Sequence, residues 1–147
     1  MDKRMSSDFR KGIENRRIVP FAEGRNSLAP ELKAAMEDLS EASDRFEKGK
    51  NKYATITAYY SMFHSARALL YSKGYREKSH YYLLTAIKAL FVDEGLMTQR
   101  LLDEFHEAMV LREHADYSSQ FSKEGAQAAI STAKEMLALA KKILKKE

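Results

Sequence analysis

Apolar residues recur along this chain at three- and four-residue intervals, and they predict a run of helices. Leu32, Met36, Leu39 and Phe46 form one such stripe, opened by Pro30 with Glu31 in the first turn and closed at Gly49. Asn51 is placed to cap a second helix over 52–72, which stops at Gly74. That segment carries two stripes, Tyr53, Ile56, Tyr60, Phe63, Arg67 and Leu70 on one side and Tyr59, Met62, Ala66 and Leu69 on another. A helix apolar over so much of its girth belongs at the centre of a bundle or under an interface. A third helix begins near Ser79 and reaches Val92, with Gly95 beyond it. Thr98 caps a fourth that carries Leu101, Leu102, Phe105, Met109 and Val110. After a loop or frayed end over 112–121, Ser122 opens the last helix, whose inward face runs from Ala126 to Leu144. The pattern is all-α: an up-and-down bundle of four to five helices with short connections.

Residues 1–29 stand apart. Pro20, Gly24 and Asn26 break the periodicity there, and a short helix is expected near 8–18. The reading divides the chain into an N-terminal arm with a short helix (1–29), with a loose tail as its default state, and a helical bundle domain (30–147).

Composition agrees with long helices. The 147 residues contain two Pro and six Gly, and no alternating strand pattern appears. With no Cys, disulfides, thiolate metal sites and cysteine nucleophiles are excluded. The N-terminus lacks a signal-peptide pattern and no apolar run approaches the roughly 20 residues of a membrane span, so a cytoplasmic protein away from membranes is expected. The 25 Lys and Arg exceed the 21 Asp and Glu by four charges, which permits contact with RNA or a nucleotide without requiring it. No HExxH, di-iron Glu-x-x-His, phosphate-binding glycine loop or Gly-x-Ser-x-Gly elbow occurs, so neither a metal nor a cofactor is expected.

Two constellations carry chemistry. Tyr60, His64, Arg67 and Tyr71 follow one another on one face of the most apolar helix. A charged Arg there must be paired or open onto a cleft. The seam is therefore either a satisfied core network, with Arg67 bonded to a carboxylate of a neighbouring helix, or a ligand site. The second constellation is Leu111-Arg112-Glu113-His114-Ala115-Asp116-Tyr117. Arg112 can pair with Asp116 one turn on, or grip a phosphate with its planar fork. His114 has the right chemistry for proton transfer near neutral pH, but it projects from a different helix face.

The run from Ala58 to Leu70, then Lys73-Gly74-Tyr75, Lys78-Ser79-His80, Arg112, Ala115-Asp116-Tyr117 and the helix opened by Ser122-Lys123-Glu124-Gly125-Ala126, resembles the HEPN family in order and spacing. The likeness is to its small stand-alone branch, formerly an uncharacterised protein family, and covers roughly 30–144. The resemblance implies a homodimeric helical bundle. It also implies pairing with a minimal nucleotidyltransferase as a toxin–antitoxin couple and, in many members, metal-independent ribonuclease activity. In those members an Arg binds phosphate and a His four to six residues later moves the proton. Arg112 fits the first position, with Asp116 and Tyr117 at the polar end of the motif, and these three are the candidate catalytic residues. The stretch from Asp116 to Ser119 holds no His, and His114 is too close to Arg112. His64, Arg67, His80 and His114 are the candidate contacts to RNA or nucleotide. The alternative function is a non-catalytic, dimeric module that binds a nucleotide or a partner.

Overall fold

A computed structural model describes residues 3–115 and 121–145, and it contains six α-helices: α1 (Lys3–Glu14), α2 (Leu28–Glu47), α3 (Asn51–Ser72), α4 (His80–Ile87), α5 (Gln99–Glu113) and α6 (Lys123–Lys145). Two three-residue strands, β1 (Ile18–Pro20) and β2 (Tyr75–Glu77), pair antiparallel, with Ile18 opposite Glu77 and Pro20 opposite Tyr75. The architecture is the expected all-α bundle, with this ribbon as an addition.

The centre of the molecule is α3, packed against α2, α4, α5 and α6. Ala54, Ala58, Tyr59, Met62, Ala66, Leu69 and Leu70 are all fully buried along it. Small residues on this list let neighbouring helices approach closely, and Ser61 ties α3 to α2 by donating to the Ala35 carbonyl at 2.8 Å. The expected inward stripes hold with three exceptions. Tyr53 is 53% exposed, Met36 48% and Val110 40%. All three stand on helices whose apolar stripe is broader than the surface available to cover it.

Caps follow their sequence signals in three places. Thr98 Oγ1 accepts from the Leu101 amide, Ser79 Oγ from Tyr82 and Ser122 Oγ from Gly125. Asn51 does not cap α3. It is the first helical residue, and the capping position falls to Lys50, which makes no side-chain cap bond. The single helix expected from Ser79 to Val92 is α4 followed by a five-residue π-helical turn, Lys88–Val92. The wider turn encloses Lys88, which is fully buried with its Nζ 2.5 Å from Asp93 Oδ1.

The N-terminal arm is not a loose tail. Its helix spans Lys3–Glu14 rather than 8–18, and Ile18 sits in β1 as a buried core residue. The arm is fastened by close approaches that leave no room for side chains. A Cβ on Gly12 would lie 2.8 Å from Tyr82 Cδ1, and one on Gly24 would lie 2.3 Å from the Tyr71 carbonyl oxygen. Phe9 meets the edge of Tyr75, and the Tyr81 hydroxyl donates to Asp8. Glu104 and Arg100 on α5 bind Thr132 and Glu135 on α6. Among the described residues, no helix is long and apolar enough to cross a membrane.

Candidate functional site

The polar seam of α3 is a charge network built from three elements. His64 Nδ1 lies 2.6 Å from Glu31 Oε2 on α2, and its Nε2 is 3.7 Å from Asp38 Oδ2. Arg67 lies 3.6 Å from Glu31 and 3.2 Å from Glu77 Oε2 on β2. Its guanidinium is also held between aromatic faces, 5.0 Å from the Phe63 ring centre and 5.4 Å from Tyr71. The carboxylate expected from a neighbouring helix is Glu31, and a strand carboxylate, Glu77, is added to it.

The network is not fully satisfied. Although 3.2 Å separates Arg67 Nε from Glu77, the N–H is not aimed at the carboxylate, and among the described residues this nitrogen has no hydrogen-bond partner, nor has the buried Glu77 Oε1. Burial pushes the Glu77 carboxyl above the usual carboxylate range, opposed by the charge of Arg67. Burial likewise raises Asp38, with His64 opposing.

A second group meets where the start of α4 and the end of α5 cross the middle of α3. Arg112, half-buried in the last turn of α5, donates from Nε to the Tyr60 hydroxyl at 3.0 Å, its guanidinium 5.7 Å from the Tyr60 ring centre. Tyr60 packs on Tyr59, ring centres 5.4 Å apart. The Tyr59 hydroxyl is 2.8 Å from Nδ1 of His80, the first residue of α4, and the His80 ring lies against Phe63 at 4.7 Å. Arg112, Tyr60, Tyr59 and His80 thus form one continuous chain of contacts. Burial lowers the pKa of His80 below the ordinary value; Glu113 acts to raise it, and Arg67 and Arg112 lower it further. Burial also raises Tyr59 far above a normal phenol, so its hydroxyl stays protonated.

The sequence candidates therefore separate. His64 and Arg67 are bound into the carboxylate network. Arg112 and His80 come together through the tyrosine pair. His114 stands exposed at the end of α5, where its backbone N–H donates to the Val110 carbonyl at 3.2 Å. Asp116 and Tyr117 lie outside the described residues. Sequence reasoning missed Tyr59 because it reads as a core aromatic, and nothing in the one-dimensional pattern brings His80 onto its hydroxyl.

These features, an aromatic central helix with a polar seam and an Arg at the end of a later helix, define a helical-bundle class that comparison with known proteins names. The HEPN domain family model matches residues 31–144, and the chain belongs to that family. It is 32% identical over 122 residues to "Putative toxin MJ0605" of Methanocaldococcus jannaschii, covering 82% of this chain and 91% of that protein. It is also 38% identical over 66 residues to "UPF0332 protein PH1297" of Pyrococcus horikoshii, covering 45% of this chain and 46% of that protein.

Proposed function

We propose that this chain is a toxin-like HEPN protein that acts on RNA, using the face formed by Arg112, Tyr60, Tyr59 and His80. The observation that carries the reading is the chain of contacts that links Arg112 through Tyr60 and Tyr59 to His80, an exposed histidine whose pKa lies below its ordinary value, on one partly open face. A guanidinium there offers a phosphate a planar, permanently charged donor. The toxin name of the archaean relative supports the class of activity. The reading includes a minimal nucleotidyltransferase as antitoxin partner and a second copy of this chain as the other half of the assembly. Val110 and Leu111, 40% and 46% exposed on α5, lie on a helix face other than that of Arg112, and this apolar patch supports a second copy packing against α5.

The test is an RNA cleavage assay in EDTA with the wild type and Arg112→Ala. Cleavage by the wild type, reduced about 100-fold or more in the variant, is expected, since removing one group that stabilises developing charge costs that much. Intact RNA at high concentrations of wild-type protein would refute the nuclease reading. One observation favours the alternative, a non-catalytic binding module. No His stands four to seven residues after Arg112, where the proton-transferring group of the nuclease motif would be. Saturable RNA binding without turnover would identify that case.

A further inference from the structure

We propose that Tyr59 fixes His80 as the neutral tautomer with its proton on Nε2, and that this N–H donates to a phosphate oxygen of an RNA strand held by Arg112. The inference rests on the RNA-directed reading and specifies what His80 does within it: a neutral hydrogen-bond donor rather than a base.

Tyr59 is fully buried, and among the described residues its hydroxyl has one hydrogen-bond partner, His80 Nδ1. The hydroxyl keeps its proton. If Nδ1 carried the imidazole proton, that N–H would donate to Tyr59, and the tyrosine's own hydrogen would point into the core with no acceptor. Folded proteins avoid a buried donor left in that state. The arrangement that satisfies both groups has Tyr59 donating and Nδ1 accepting. A neutral imidazole has one proton, so it sits on Nε2, the ring nitrogen left for a ligand.

The surroundings keep the ring in that form. Charging it would put a second proton on Nδ1 and displace the tyrosine hydrogen. Packing against Phe63 opposes the charge, as do Arg67 and Arg112; among the described charged groups acting on the ring, Glu113 alone favours it. A base would need its lone pair on Nε2, and this geometry places that lone pair on Nδ1, where Tyr59 occupies it. What the site offers beside the Arg112 cation is therefore an N–H, suited to an anionic oxygen.

The test uses the full chain and two readouts. Histidine-ring nitrogen shifts, with the His80 signals assigned by their loss in His80→Gln, are expected to show protonated Nε2 and bare Nδ1 at neutral pH. Tyr59→Phe is expected to abolish that preference. In the second readout, a fluorescein-labelled single-stranded RNA is titrated by anisotropy. The glutamine amide in His80→Gln supplies an N–H where Nε2 stood, so its affinity should stay within about twofold of wild type, while His80→Ala should lose on the order of tenfold. A ring protonated on Nδ1, or His80→Gln as weak as His80→Ala, overturns the inference. So does unchanged binding in His80→Ala, and if Arg112→Ala is still inactive in that case, the RNA-directed reading survives alone. Wild-type protein that neither binds nor cleaves RNA removes that reading and the phosphate contact with it.

Discussion

The carboxyl of Glu77 occupies a poor place for a charge: 5% of its side chain is exposed, one oxygen has no hydrogen bond, and its cation, Arg67, is imperfectly aimed. The folded protein therefore holds its proton to higher pH than the unfolded chain does. Protons bound more tightly in the folded state stabilise it, so this contribution is complete below the unfolded pKa, about 4.3, and is lost as pH rises through the raised folded value. Glu77→Gln is expected to remove that dependence. Its urea midpoint relative to wild type should improve as pH rises from 4 and level off once the folded carboxyl has ionised, and a constant difference would show that burial of Glu77 carries no such cost. At this scale the sequence was partly legible. Arg67 on an apolar helix face announced a buried cation in need of a partner. The identity of that partner was hidden, because Glu77 reads as an ordinary surface residue until β2 carries it inward.

At the scale of elements, hydrophobic spacing located α2, α3, α5 and α6, since each has a long stripe and a recognisable end. Thr98 and Ser122 marked helix starts through the chemistry of their hydroxyls. The ribbon was not legible: three-residue strands are too short for an alternating pattern, and they pair across the whole of α2 and α3. The π-helical turn after α4 was equally silent, because its widening serves a contact, Lys88 with Asp93, that periodicity does not encode. The contact is unequal. Lys88 is fully buried, whereas the Asp93 side chain is 23% exposed. Asp93→Ala should leave an uncompensated buried cation and cost about 3 kcal/mol in chemical denaturation. Lys88→Met should cost under about 1.5 kcal/mol, because its volume is kept and Asp93 remains near water. Equal losses would mean that Asp93 depends on the pair as strongly as Lys88 does.

For the whole molecule, the informative surprise is the arm. Its breakers and charges resemble those of a tail, yet it supplies Ile18 to the core and β1 to the ribbon. A chain beginning at Pro30 is expected to lose the sharp cooperative unfolding of the full protein, followed by circular dichroism on heating, because Tyr71, Tyr82 and Glu77 would lose the backbone and side chains packed on them. Unchanged cooperativity would show that the family-matched region stands alone. The candidate site was legible as types of residue but not as a geometry, since Arg112 and His80 are linked through Tyr60 and Tyr59 only when α4 and α5 close over α3.

The pairing of Ile18 with Glu77 also has a bearing on time. As the chain leaves the ribosome, β1 appears early but finds its partner only after α2 and α3 have been made. Contacts so distant along the chain form late, after the entropy of closing the intervening loop has been met. Substitutions in the bundle are then expected to change how fast the protein folds, and substitutions in the arm how soon it comes apart, as stopped-flow refolding and unfolding rates would show.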